Sequence, residues 1–144
     1  VFSIAVLLFN TAHAQNPWID SVKKVAALQK ADTNELFSLL ALSSAYNSFL
    51  PDSSIVYSQK ALVLAEKLHN EMGLFNAEVN LSRALMVAGN YPLELDYCFK
   101  ALSQAKRMGT PTEIAYANLM LSDCYYNLGD YTTSLNYIRK VAVT

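Results

Sequence analysis

Glycine and proline are scarce, four of each in 144 residues. A chain of many short strands needs a turn residue every few positions, so this scarcity points to long helices. Charge is sparse too: 16% of residues are charged and the net charge is −1. Both signs are interspersed, which leaves no basic stripe and excludes the electrostatic footprint of nucleic-acid binding. Histidine is confined to His13 and His69, and cysteine to Cys98 and Cys124. These residues lack the clustering and paired spacing of a metal site. No glycine-rich phosphate loop, serine nucleophile elbow or Walker-type run occurs. Glu94 and Asp96 could do acid–base work, but at a spacing of two on a helix they point to different faces and are read as solvated surface. His69, within Lys67-Leu68-His69-Asn70-Glu71, is read as a solvent-facing helix end where imidazole complements the dipole, not as a phosphoacceptor. The expectation is a non-enzymatic region with no metal and no cofactor.

Long hydrophobic runs are also missing. The apolar opening Val1 to Phe9 is too short to span a bilayer, which takes about 20 residues. It is followed by Ala12-His13-Ala14, the small-x-small pattern that signal peptidase accepts. Residues 1–14 are therefore expected to be a signal peptide, truncated at its start because no charged segment precedes it. The mature chain is expected to begin at Gln15. A lipid-bearing cysteine would have to stand there, so no lipid anchor is expected, and any membrane attachment must come from a segment not present here. Export makes a disulfide possible. Cys98 and Cys124 nevertheless fall on apolar helix faces and are expected to be buried free thiols.

What the chain does have is 53% hydrophobic residues, enough for a core, and an internal period. Displaced by forty residues, it lands on itself. Tyr57, Tyr97 and Tyr137 align, as do Lys60, Lys100 and Lys140. Ala61-Leu62 meets Ala101-Leu102 and then Val141-Ala142. Gly89-Asn90-Tyr91 meets Gly129-Asp130-Tyr131. Ala41, Leu81 and Leu121 align, as do Leu39, Val79 and Leu119, and Ile55, Leu95 and Leu135.

Apolar residues at steps of three and four make each unit two amphipathic helices. In unit two the first helix is predicted from about Met72 to Ala88. Gly89 ends it by taking the left-handed conformation. Pro92 sits in the first turn of the next helix, where its missing N–H costs nothing, and that helix ends near Met108-Gly109. Asp32-Thr33-Asn34-Glu35 and Thr110-Pro111-Thr112-Glu113 have the form of capping boxes. In unit one Asp52 or Ser53 is expected to cap the second helix. Ala77, Ala84, Ala88, Ala101 and Ala105 are expected to let helices approach closely, and Tyr91 and Tyr131 to wedge between hairpins. The predicted fold is all-α: an α-solenoid of three helix-turn-helix units (33–72, 73–112 and 113–144) behind a lead helix in residues 15–32. Each hairpin is incomplete alone and buries its apolar face on its neighbour. On the last helix Leu135, Ile138 and Val141 form an uncovered apolar stripe, so Thr144 is read as a truncation point.

At Leu81, Ala84, Gly89-Asn90-Tyr91, Tyr97 and Lys100-Ala101-Leu102, and again from Leu121-Ser122 through Asn127-Leu128-Gly129-Asp130-Tyr131 to Tyr137 and Lys140, the sequence resembles the tetratricopeptide repeat family. It departs from that family in its longer period. Where the family places a small residue early in the second helix, the chain has Ser54, Glu94 and Ser134. Where the family packs a glycine in the first helix, it has Leu42, Ser82 and Ser122. Ile19-Asp20-Ser21-Val22, Ala31-Asp32-Thr33, Pro51-Asp52 and Lys60-Ala61-Leu62-Val63-Leu64-Ala65-Glu66-Lys67-Leu68 resemble the extracytoplasmic start of bacterial repeat-bearing sensor histidine kinases and related regulators. That likeness implies a sensory or docking region in the periplasm or on the extracytoplasmic face of a bacterial membrane. The alternative is a free periplasmic scaffold.

The family resemblance implies that the first helix of each hairpin lines a concave groove for a protein or peptide. Its candidate partner-binding residues are Tyr46, Asn47, Asn76, Asn80, Arg83, Met86, Tyr116, Asp123, Tyr126 and Asn127. Aromatic side chains there would supply area and amides would bond an extended backbone. Leu36, Leu39, Ser43, Val79 and Leu119 share these faces, with Leu39, Val79 and Leu119 expected in the core. Some family members clamp the carboxylate tails of heat-shock chaperones with Lys, Asn and Arg. Only Asn80 matches that cluster, with Leu39, Ser43, Tyr116 and Met120 at the other places, so no such clamp is expected.

Overall fold

The structure is a computed structural model that describes residues 17–142; the expected signal segment lies outside the described residues. Among the described residues seven helices follow one another: α1 (Pro17–Ala26), α2 (Thr33–Tyr46), α3 (Pro51–Lys67), α4 (Glu71–Val87), α5 (Tyr91–Met108), α6 (Pro111–Asn127) and α7 (Tyr131–Val141). No strand occurs among the described residues. Each helix packs on the next in sequence, and α2 also reaches α4. The result is the expected all-α solenoid, three hairpins behind a lead helix. The second helices open at Pro51, Tyr91 and Tyr131, in step with the sequence period.

Local chemistry sets the helix ends. Gly89, Gly109 and Gly129 take left-handed φ values of 73°, 67° and 80°, the conformation that closes a helix at low steric cost for glycine. His69 does the same job after α3 with φ 49°. The Asp32 box forms: the Asp32 carboxylate accepts from the Glu35 N–H at 2.9 Å, and the Glu35 carboxylate accepts from the Ala31 N–H at 2.7 Å. Asn70, Asn90 and Asp130 cap α4, α5 and α7 through their side chains. Two caps differ from expectation. Thr110 precedes α6, but its hydroxyl is buried without a hydrogen bond. Leu50, not Asp52 or Ser53, precedes α3, because Pro51 already has helical geometry and carries those residues into the first turn.

The core lies across the hairpin boundaries, which is what holds a solenoid together. One cluster joins Leu36, Leu39 and Leu40 of α2 to Ala61, Leu64 and Ala65 of α3 and to Ala77 of α4. The other joins Phe75 and Val79 of α4 to Cys98, Ala101, Leu102 and Ala105 of α5 and to Ala117, Met120, Leu121 and Cys124 of α6. Ala77, Ala84, Ala101 and Ala105 are fully buried, as close packing requires, but Ala88 is exposed because it caps α4 beyond the hairpin contact. Tyr131 is also exposed, and its one ring contact among the described residues is edge-on with Tyr126, so it does not wedge between hairpins. Leu135 and Ile138 of α7 remain exposed. Helix α1 rests on α2 without burying any residue of its own. No described helix is long and apolar enough to cross a membrane.

Candidate partner-binding groove

Two small positions hold each outer hairpin together. In the first, the Ser54 hydroxyl lies 2.6 Å from Asn47 Oδ1 and 2.8 Å from the Ser43 carbonyl, with Ser43 bonded in turn to Ser58. In the third, the Ser122 hydroxyl reaches the Ser134 carbonyl and hydroxyl, each at 3.0 Å. The middle hairpin is different. Ser82 meets the Cys98 sulfur at 3.1 Å, and the place of Ser54 and Ser134 is taken by Glu94. The longer side chain stays inside: Glu94 is only 2% exposed. It is therefore not the solvated surface carboxylate its spacing from Asp96 suggested. Asp96 is exposed and pairs with Lys100 at 2.7 Å. Glu94 Oε2 has no hydrogen-bond partner among the described residues. Burial pushes the Glu94 carboxyl up to about 7; a hydrogen bond with Cys124 pulls the other way, and the Asp123 charge adds to the rise.

Glu94 lies on the wall of a cavity of about 280 Å³. Helix α4 contributes Ser82, Arg83 and Met86, and α6 contributes Tyr116, Leu119, Met120 and Asp123. The cavity lies where α4 and α6 approach each other less closely than α2 and α4 do. Side chains span the gap instead. Phe75 meets Tyr116 edge-on with centroids 6.5 Å apart. The Arg83 guanidinium donates to the Tyr116 hydroxyl and lies 5.5 Å from that ring's centre, within cation–π range. Asp123 is exposed at the rim, and partial desolvation raises its carboxyl above the usual range.

Of the ten candidate groove residues, Arg83, Met86, Tyr116 and Asp123 come together on this one cavity. Asn76 is half-buried on α4, and Tyr126 and Asn127 are exposed at the far end of α6. The other three are packing residues. Tyr46 is 7% exposed, stacked on Tyr57 and edge-on to Phe49. Asn47 is equally buried and serves Ser54. Asn80 donates to the Leu40 carbonyl at 3.2 Å, tying α4 to α2. Leu36, Leu39 and Val79 are core as well, but Leu119 is 37% exposed and faces the cavity. Glu94 was the residue missed. Its signal was present in the forty-residue alignment, which puts a charged side chain where the outer units have serine.

Cys98 and Cys124 are free and buried. Burial pushes both thiols up to about 12, so neither offers a thiolate at neutral pH. No group of metal-ligating side chains occurs among the described residues. Two larger cavities flank α1. One, of about 870 Å³, is bounded by Lys23, Leu39, Tyr57 and Val63; they follow from the loose seating of the lead helix.

The comparisons with known proteins agree on the fold. The crystal structure of the TPR domain of Arabidopsis FLU superposes with a TM-score of 0.70 at 24% sequence identity, over 76% of this chain and 92% of that one. No curated protein sequence matches. The family described as the SusR N-terminal TPR domain matches residues 12–93, more than half of the chain and the whole of α1 to α4. The period, the paired helices and this match together place the chain in the SusR N-terminal TPR domain family of tetratricopeptide repeat proteins.

Proposed function

We propose that the chain is an exported docking module, and that it forms the sensory front of a bacterial signalling protein of the histidine-kinase type. The repeat fold is a protein-interaction scaffold, and the observation that carries the groove assignment is the meeting of Arg83, Met86, Tyr116 and Asp123 on one cavity between α4 and α6. Tyrosine and arginine are residue types that dominate binding energy at protein interfaces, and methionine is enriched there. Export is supported by the Val1–Phe9 run with Ala12 and Ala14 behind it. The signalling assignment is supported by the Ile19-to-Leu68 resemblance and by a family whose description is that of an N-terminal domain. A partner captured from the periplasmic and membrane fractions tests the groove. Arg83→Ala and Tyr116→Ala are each expected to weaken capture about tenfold, the loss of a strong interface residue; unchanged capture by both removes the assignment.

A further inference from the structure

The groove also carries a chemical preference. We propose that the cavity between α4 and α6 takes the ammonium end of a lysine-type side chain from the partner peptide, with Glu94 at its floor and Asp123 at its rim. This rests on the groove reading above. Four observations lead to it. Glu94 lines the cavity, and its Oε2 is removed from solvent with no donor among the described residues, a state that costs free energy until a donor arrives. Asp123, on the same wall, has no ion-pair partner among the described residues. The one cation on the wall, Arg83, is held at Tyr116 by a hydrogen bond and ring contact. Finally, Met86, Leu119 and Met120 supply apolar surface for an alkyl stem, and about 280 Å³ suits one side chain more than a whole ligand.

Electrostatics supplies a signature. The ionisable and charged groups around Glu94 are Arg83 from α4, Cys98 from its own helix, and Tyr116, Asp123 and Cys124 from α6. With Glu94 neutral below about 7, an ammonium group entering the cavity favours the carboxylate, and the carboxyl proton leaves to solvent. Binding of the cation and release of that proton are therefore linked.

The test uses the full chain with ¹³C-labelled glutamate carboxyls. The Glu94 signal is titrated alone and with acetyl-Ala-Ala-Lys-Ala-Ala-amide, its norleucine counterpart and its arginine counterpart. The lysine peptide is expected to lower the Glu94 midpoint by about one pH unit, a tenfold preference for the ionised form. The norleucine peptide should bind about tenfold more weakly and leave the midpoint in place. Glu94→Gln, with helical content unchanged, should bring lysine binding down to the norleucine level, and Asp123→Asn should lower it by a smaller factor. Equal lysine and norleucine binding, an unmoved midpoint, tighter binding of arginine, or no binding of any peptide overturns the proposal. If lysine and norleucine peptides perturb Arg83 and Tyr116 alike, the cation pocket falls and the groove stands. Partner capture indifferent to Arg83→Ala and Tyr116→Ala removes the groove itself.

Discussion

Replacing Glu94 by glutamine should flatten the pH dependence of folding stability. In the native chain the Glu94 carboxyl keeps its proton up to about pH 7, whereas the ordinary value is 4.5. Between those two pH values the folded chain holds a proton that the unfolded chain has released. Stability must therefore be greatest below pH 4.5, as far as this group is concerned, and fall as pH rises towards 7. At ~1.4 kcal/mol per pH unit, the loss across that window is about 3 kcal/mol as an upper bound. Glu78, half-buried on α4 with an unpartnered Oε2, is also pushed up to about 7 by burial, partly offset by Arg107 and Lys100. It contributes a second loss in the same window, so the wild-type slope belongs to both residues and the difference between wild type and variant isolates Glu94. Urea unfolding followed by far-ultraviolet circular dichroism at half-unit steps from pH 4.5 to 8 measures it. Glu94→Gln removes one proton from the linkage without changing side-chain size. The buried amide can shift the whole curve by ~1–3 kcal/mol because its hydrogen bonds are unmet, but that offset does not depend on pH. Parallel curves for wild type and variant would refute the reasoning, because they would mean that Glu94 titrates alike folded and unfolded.

Two further substitutions test the packing. Gly73→Ala in α4 would normally gain about 1 kcal/mol of helix propensity. The added Cβ would lie 2.8 Å from Leu36 Cδ2 and 3.2 Å from Ala65 Cβ, and overpacking costs about 1–3 kcal/mol; a lowered urea midpoint is expected, and a raised one shows that Leu36 yields freely. His69→Gly relieves an L-residue at φ 49°, a conformation costing about 1–2 kcal/mol, less the added chain entropy of glycine, so stability should rise by up to about 1 kcal/mol. A fall in the thermal midpoint would mean that the imidazole makes a contribution larger than the strain it carries.

The architecture was legible because helix ends and hairpin spacing are local matters. Gly89, Pro92 and the Asp32 box act within a few residues, and a period of forty tells which helices are equivalent. The caps that failed are also instructive. Thr110 has the right side chain, yet its hydroxyl ends buried without a bond, and Pro51 displaced the expected cap by taking helical geometry itself. The groove was only half legible. Repeat position says which helix faces the concave side but not which side chain a neighbouring helix will cover. Tyr46, Asn47 and Asn80 have the chemistry of binding residues, and each is consumed by a partner on another part of the stack. The spacing of Glu94 from Asp96 points to solvent, whereas its register with Ser54 and Ser134, both buried, points inward, and the register decides.

The separation of α4 from α6 has a consequence for how such a surface can change. Where two backbones touch, width is fixed by the chain itself, and altering it means rebuilding the core. Here Arg83 and Tyr116 meet across the cavity, over the core in which Phe75 is buried. A mouth bounded by two such side chains can be widened, narrowed or re-aimed one residue at a time, while the scaffold that holds it stays as it is.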